Sequence, residues 1–382
     1  MRATLKETFA LHANDNSPVA DVIRIITQHP ETAAAFGSDE SLNRILEDII
    51  ARDRAFEQAG GTYFQLGSSP VETADNFTKT HIEQYRDTAR RSLPALAAHH
   101  LREIGLTPEN LHYQAAMLVA ARAEMAQTAQ PEYHNQNHYE DVTAQVAEFV
   151  KRNNRLADAG VPGAKKLTPE EMADSITAAL GHDIDHPGGK NPLPGEKAPA
   201  DVYRLERQSF VAMEPLLRQA GLKDNEIADI HTMILTTSPD GPHGVLKAVA
   251  KAQQEGRALQ WSDVDPGNKY PELKGLRDDP KLTQRAAMLE DADLGASAFE
   301  GLASNIKMSE AFTAELQARN YIVLNGPKAG LLEDLRGAFA RSMFGKFVVG
   351  EGPASVTAQD AVGKNYADMR ALTERELAAP AS

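Results

Sequence analysis

Hydrophobic residues recur along most of the chain at intervals of three and four positions, which is the spacing of an amphipathic helix. No segment shows a clear alternation of apolar and polar residues, which is the pattern of a half-buried β-strand. The pattern therefore predicts an all-α protein, built as a multi-helical bundle.

Capping and turn residues indicate where the N-terminal helices begin and end. Ser17 is predicted to cap a helix whose first position is Pro18, a favourable place for proline. Further helices are predicted over about 39–58 and over about 70–98, the latter with a break near Pro94. Because this part of the chain holds no chemical motif, residues 1–100 are predicted to be an accessory helical region and residues 101–382 the main domain.

Composition and charge narrow the class of function. The chain has a formal net charge of −14, which disfavours a nucleic-acid polymer as partner because phosphate backbones require clustered Lys and Arg. It contains no cysteine, so a disulfide, a Cys-based zinc site and a Cys nucleophile are all excluded.

The sequence gives no sign of a membrane partner. We find no signal peptide at the N-terminus and no apolar run near the roughly 20 residues that span a bilayer. These patterns predict a cytoplasmic protein, with export as an effector left open.

Histidine and acidic residues concentrate in two short strings. The first runs from Tyr133 to His138, and the second contains His182, Asp183, Asp185 and His186. Imidazole and carboxylate groups at this density are typical of a site for Zn²⁺ with a harder cation beside it. A solvated helix end is the alternative for the second string, but the apolar Leu180 and Ile184 argue against it.

The first string is predicted to lie on a helix. His134 and His138 are four positions apart and would share one face, with His138 in the core and His134 nearer the rim. A pair of hydrogen-bonded core histidines is the alternative interpretation.

Two more acidic residues are candidates for the same site. Asp293 falls on the apolar side of a predicted helix, whereas Glu290 and Asp291 are predicted to face solvent. Glu206 shares a face with apolar residues, and a buried Glu requires a partner. A metal-bound water and an arginine are equally good candidates for that partner.

The order and spacing of these strings over about residues 110–300 resemble the class I cyclic nucleotide phosphodiesterases, within the HD-domain metal phosphohydrolases. The resemblance rests on Tyr133-His134-Asn135 with His138, on His182 to Gly188 with Asn191, on Leu205-Glu206, on Ile234 to Thr237, and on Ala292-Asp293-Leu294. It implies an HD/PDEase-like helical bundle with a metal site in its core, formed by residues 101–382.

The resemblance also implies a role for each matched residue. The ligands of the first metal would be His138, His182, Asp183 and Asp293, and Asp183 would bridge to a second metal. Zinc, together with magnesium or manganese, is the expected pair of cations. His134 would be the general acid, Glu206 a further catalytic residue, and the residues lining the pocket Tyr133, His186 and Asn191.

The implied reaction is hydrolysis of a small nucleotide-like phosphodiester, such as a 3',5'-cyclic nucleotide, by a hydroxide that bridges the metals. Gln208 and Ser209 stand where the family usually has histidines, and the region of Phe344, Phe347 and Gln359 does not match the family's base-reading pattern. Two alternatives therefore stay open. One is an effector-type phosphodiesterase acting on ADP-ribosylated protein or another non-cyclic substrate, and the other is a non-catalytic binding module on the same fold.

Overall fold

The computed structural model describes residues 18–28, 35–37, 39–77, 79–80, 91–126, 131–194, 196, 201–238, 242–293, 311–312, 314–320 and 354–378. All regular structure in these residues is helical and none of them lies in a strand, which confirms the predicted all-α class. Within the same residues, no helix is both long enough and apolar enough to cross a membrane.

The helices are numbered here in chain order. They are α1 (Pro18–Gln28), α2 (Asp39–Gln58), α3 (Pro70–Phe77), α4 (Leu93–Glu103), α5 (Leu111–Met125), α6 (Gln136–Asp158), α7 (Pro169–Gly181), α8 (Arg204–Gln219), α9 (Asp224–Leu235), α10 (Pro242–Gln254), α11 (Trp261–Val264), α12 (Lys274–Asp278), α13 (Pro280–Asp293) and α14 (Val356–Ala378).

The start predicted for α1 and the bounds predicted for α2 are confirmed, and so is the break near Pro94 in the helical stretch predicted over 70–98. Helix α3 ends at Phe77, and α4 begins as a new helix at Leu93. The Ser92 side chain caps α4 by accepting a hydrogen bond from the N–H of Ala95. Pro94 therefore lies in the first turn of a helix, where a missing N–H leaves no hydrogen bond unmade.

One hydrophobic core joins the N-terminal helices to the later ones. Ile23 of α1 and Leu46 of α2 belong to the same buried cluster as Met117 of α5 and Ile176 of α7. Helix α4 spans the predicted boundary at residue 100. The division into two regions stays a prediction, and the apolar packing is continuous across it.

Helix α5 lies at the centre of this core. It contacts α4, α7, α8 and α1. Nine of its apolar residues between Tyr113 and Ala123 are buried, and five of the nine are alanines. Small side chains allow neighbouring helices to approach closely on several sides. This central helix supports α7, which carries the second histidine string at its C-terminal end.

Helix α13 is buried on more than one side, which corrects the prediction for Glu290 and Asp291. Both residues are buried, because α13 contacts α10 and α9 as well as α6 and α14. Asp291 accepts hydrogen bonds from the N–H groups of Ala354 and Ser355, at 2.7 and 2.8 Å, and from the Ser355 hydroxyl at 2.6 Å. The carboxylate thus holds the chain in place just before α14 begins.

Candidate active site

The C-terminal end of α7 places the second histidine string in the core. A capping box between Thr168 and Glu171 begins this helix, as predicted. The helix ends at Gly181, earlier than the predicted stop at Pro187, and His182 is its C-terminal cap residue. A Cβ atom at Gly181 would lie 2.5 Å from Met213 Sδ, so a larger residue there would require the Met213 side chain of α8 to move.

The start of α6 places the first string. Asn135 caps the helix by accepting a hydrogen bond from the N–H of Asn137 at 2.9 Å. His134 therefore precedes the helix, and the prediction that it shares a helical face with His138 is wrong. Burial follows the prediction, since the side chain of His138 is 1% exposed and that of His134 is 13% exposed.

His138, His182, Asp183 and Asp293 converge in space. His138 Nε2 lies 3.2 Å from Asp183 Oδ2, 3.0 Å from Asp293 Oδ1 and 3.2 Å from His182 Nε2. His182 Nε2 lies 3.3 and 3.6 Å from the same two carboxylate oxygens. Four ligands about 2.0–2.1 Å from a tetrahedral zinc ion would be about 3.3–3.4 Å apart. The separations suit a cation at the centre.

Hydrogen bonds orient these groups for a cation. His182 Nδ1 donates to the carbonyl of Ala179 at 2.7 Å, so the lone pair of Nε2 faces the cluster. Asp183 Oδ2 is buried and has no hydrogen-bond partner among the described residues. The Tyr139 hydroxyl donates to the backbone carbonyl of Asp183 and holds this turn of the chain.

The electrostatics of the cluster point the same way. Burial alone lowers the pKa of His138, but the adjacent carboxylates of Asp183 and Asp293 outweigh burial and raise that pKa to about 9. The same carboxylates raise the pKa of the buried His182 well above its ordinary value. Despite burial, the imidazoles lower the pKa values of Asp183 and Asp293. A site that favours positive charge this strongly is suited to a divalent cation.

Glu315 completes the site, and sequence analysis missed it. Its Oε1 atom lies 2.6 Å from His134 Nδ1, although the two residues are 181 positions apart. Its Oε2 atom accepts hydrogen bonds from the N–H groups of Tyr133 and His134, both at 3.0 Å. Its Oε1 atom also accepts one from the N–H of Gly189 at 2.7 Å. No local motif marks Glu315, so only the folded chain identifies it.

The Glu315 carboxylate is ionised at neutral pH. Burial raises its pKa, but hydrogen bonds from His134 and from backbone N–H groups outweigh burial and lower that pKa to about 2. The carboxylate therefore accepts the proton on His134 Nδ1. His134 Nε2 is left as the nitrogen that can face a ligand.

His186 packs against His134 as a neutral ring. The two rings are stacked, with centroids 3.9 Å apart and an interplanar angle of 27°. Burial, together with the nearby His134, lowers the pKa of His186 to about 3. The N–H of Gly188 donates to His186 Nδ1 at 3.0 Å, which leaves the proton on Nε2.

Tyr133 covers the histidines from the other side. Its ring centroid lies 4.8 Å from that of His138 and 5.2 Å from that of Phe312. Phe312, like Glu315, belongs to a late part of the chain whose contribution to the site was not predicted. An aromatic wall thus borders the cluster.

Asn191 and Glu206 form a buried pair. Asn191 Nδ2 lies 3.2 and 3.0 Å from the two carboxylate oxygens of Glu206 and 3.0 Å from Ser238 Oγ. Within the described residues the partner of Glu206 is this amide, rather than the arginine considered from the sequence. Burial raises the pKa of Glu206 to about 8, and Asp183 and Asp293 contribute to the rise.

Gln208 and Ser209, which stand where histidines were expected from the resemblance, form hydrogen bonds to backbone carbonyl groups. Gln208 Nε2 donates to the carbonyl of Asp185 at 2.8 Å, and the Ser209 hydroxyl donates to that of Leu205 at 3.2 Å. Phe344 and Phe347 lie outside the described residues, and Gln359 is exposed on α14.

Comparison with protein families gives a match at this site. Residues 133–195 match the family described as 3'5'-cyclic nucleotide phosphodiesterase. The match confirms the resemblance predicted from the two histidine strings. A comparison with curated proteins found no match.

Three solved phosphodiesterase structures are similar to this chain. LmjPDEB1 in complex with IBMX is 15% identical, with a TM-score of 0.50, and the alignment covers 85% of this chain and 98% of that one. The phosphodiesterase domain of the RhoPDE fusion protein from the choanoflagellate Salpingoeca rosetta is 17% identical, with a TM-score of 0.48 and coverages of 84% and 98%. The phosphodiesterase domain of Salpingoeca rosetta rhodopsin phosphodiesterase is 18% identical, with a TM-score of 0.45 and coverages of 84% and 95%. The likeness to LmjPDEB1 shows a shared fold.

Proposed function

We propose that this protein is a metal-dependent phosphodiesterase that hydrolyses a small nucleotide-like phosphodiester, with a 3',5'-cyclic nucleotide as the first candidate. The observation that carries the proposal is the convergence of His138, His182, Asp183 and Asp293 beside the pair formed by His134 and Glu315. The family match over residues 133–195 includes four of these six residues, namely His134, His138, His182 and Asp183.

The four converging residues would hold the first divalent cation, and zinc suits their nitrogen and oxygen atoms. The buried Asp183 oxygen without a hydrogen-bond partner supports this assignment. Asp183 would also bind a second, harder cation such as magnesium or manganese. Divalent cations in such a site polarise a phosphoryl oxygen and activate water for attack on phosphorus.

His134 would act as the general acid. Glu315 fixes its ring and holds the proton on Nδ1, so Nε2 would deliver a proton to the departing oxygen of the substrate. The stacked ring of His186 limits rotation of His134. Proton donation of this kind is typically worth about 10²–10⁴-fold in rate.

The remaining predicted residues would shape the pocket. Tyr133 would present its ring beside the phosphoryl group, and His186 would donate from Nε2. Glu206, oriented by Asn191, would hold or accept a proton near the cations, because burial raises the pKa of its carboxyl to about 8.

A hydrolysis screen tests the proposal. Cyclic mononucleotides, cyclic dinucleotides and an ADP-ribosylated protein would be incubated with the 382-residue chain in the presence of zinc, magnesium or manganese. We expect metal-dependent hydrolysis of a cyclic mononucleotide that His138→Ala abolishes. If only the ADP-ribosylated protein is cleaved, the proposed cyclic nucleotide substrate is wrong. If nucleotide binds but no substrate is hydrolysed, the protein is a binding module and not an enzyme.

A further inference from the structure

A second cluster of metal-ligating groups lies on α4, outside the candidate active site. His99, His100 and Glu103 each present one ligand atom, and these atoms all lie within 4.8 Å of one another. The three residues occupy the last turn and a half of one helix. Nothing in the proposed hydrolysis uses them.

The two distances between histidine nitrogen and carboxylate oxygen in this cluster are longer than those of good hydrogen bonds. His99 Nε2 and His100 Nδ1 each lie 3.4 Å from Glu103 Oε2. Good hydrogen bonds between nitrogen and oxygen are about 2.7–3.2 Å long. The separation of 3.4 Å is close to the edge of about 3.3–3.4 Å expected around a tetrahedral zinc ion.

His100 provides an independent indication of a ligand. The residue is 0% exposed, yet neither of its ring nitrogens has a hydrogen-bond partner among the described residues. An imidazole buried without a partner is costly unless something else binds it.

We propose that His99, His100 and Glu103 form a second transition-metal site, with zinc as the cation best suited to two imidazoles and a carboxylate. The side chains of His99 and Glu103 are 26% and 34% exposed, so a cation can enter from solvent and keep water as a further ligand. The ring of Tyr63 stacks on His99 at a centroid distance of 3.4 Å and holds it in place.

The charged residues around the cluster leave room for a cation, but one of them, Lys151, competes with it for the Glu103 carboxylate. Lys151 Nζ lies 2.7 Å from Glu103 Oε2, the same oxygen that both histidines face, and it also pairs with Glu148. The Arg91 guanidinium lies 4.0 Å from the Tyr63 ring centroid. The carboxylates of Asp53 and Glu57 act on Arg91 and offset its charge. Lys151 is therefore the group that weakens zinc binding most.

The number of zinc ions bound per 382-residue chain tests this proposal. The protein would be stripped with a chelator and dialysed against zinc, and bound zinc per chain would be measured by elemental analysis. We expect His99→Ala and Glu103→Gln each to bind one zinc fewer than wild type, with unchanged turnover. Lys151→Met should retain the full number and bind zinc at least as tightly, because it removes the competing cation but no ligand.

Two comparisons make the result decisive. If His99→Ala and Glu103→Gln both bind as much zinc as wild type, the site does not exist. Glu103→Gln is nearly isosteric and partly exposed, so it decides the matter if the histidine variant fails to fold. In the His138→Ala background the His99→Ala change should still remove one zinc, which separates this site from the candidate active site and from any failure of the proposed function.

Discussion

Glu315 binds His134 at both its side chain and its backbone. One carboxylate oxygen lies 2.6 Å from His134 Nδ1, and the other accepts the backbone N–H of the same residue at 3.0 Å. Glu315 thereby fixes the position of the candidate general acid. It also leaves Nε2 as the nitrogen that would carry the proton facing the substrate. It is a positioning residue, since it acts on the substrate only through His134.

Replacing Glu315 by glutamine should impair turnover without releasing metal. The amide keeps the size of the side chain but loses the charge, and it can hold the ring of His134 in the wrong tautomer. We expect kcat to fall at least about tenfold and up to about 10⁴-fold, the loss seen when the acid behind a catalytic histidine becomes an amide. Steady-state kinetics and elemental analysis measure the two effects. Unchanged kcat would show that Glu315 is only structural.

A substitution at Gly188 should disturb the same pair from its other side. Gly188 has a φ of +82°, and a Cβ atom there would lie 3.1 Å from Glu315 Cδ. Gly188→Ala should therefore reduce kcat by displacing Glu315. Gly160→Ala is the matched control, because its φ of +74° brings similar strain of about 1–2 kcal/mol with nothing within 4 Å. Equal kinetics for the two variants would contradict the argument.

The role of His134 itself can be separated from metal binding. His134→Ala should keep its metal and lose about 10²–10⁴-fold in turnover on a nucleotide substrate. The loss should be much smaller for a nitrophenyl phosphodiester, whose leaving group needs no proton. An equal loss on both substrates would mean that His134 is structural, and loss of metal would make it a ligand.

The four converging residues can be tested as ligands. His138→Ala and Asp183→Asn should each lose the cation held by the four converging residues, and activity with it, because each removes one donor from a buried site. Elemental analysis and the hydrolysis assay measure both. Wild type stripped with a chelator and reloaded with zinc and magnesium is the control, and it should regain activity. Unchanged metal content in both variants would rule the assignment out.

Local sequence patterns were sufficient to predict much of the fold and to identify the two histidine strings as a candidate site. The helical period and the caps predicted α1, α2 and α7, since these signals lie within a few residues of each other. His182 and Asp183 could be recognised because adjacent ionisable groups beside Leu180 are hard to explain as packing. The residues involved were close in sequence, and no knowledge of tertiary contacts was needed.

The errors came from contacts between distant segments. Glu290 and Asp291 were assigned to solvent because a helical wheel of α13 does not show that a second layer, which includes α14, covers that side. Glu315 was missed because its partner His134 is 181 positions away. His134 was placed on a helix because the capping role of Asn135 was not recognised.

Glu124, which lies near the candidate active site, should make the free energy of unfolding depend on pH. It accepts hydrogen bonds from the N–H of Leu93 at 2.8 Å and from Gln136 Nε2 at 2.9 and 3.2 Å, and it lies 2.9 Å from Arg52 Nη1. Burial raises its pKa from 4.5 to about 7, and the charge of Arg52 offsets only part of that rise. The folded protein thus keeps a proton that the unfolded chain releases near pH 4.5.

The stabilisation from that proton is complete below pH 4.5 and is lost as the pH rises through about 7. Glu124→Gln cannot titrate, so its free energy of unfolding relative to wild type should increase between pH 5 and pH 8. Urea denaturation at the two pH values measures the difference, with Glu47→Gln on the exposed side of α2 as the control. A constant difference would contradict the raised pKa.

The separation of His134 from Glu315 also has a consequence for biosynthesis. At about 5–20 residues per second, a ribosome adds the 181 residues between them in about ten to forty seconds. During that interval the histidine strings have already been translated, but the carboxylate that organises them has not. A nascent chain at that stage presents unprotected imidazole groups to any cation in its surroundings, so correct metal loading is expected only after the late part of the chain has been made and has folded against them.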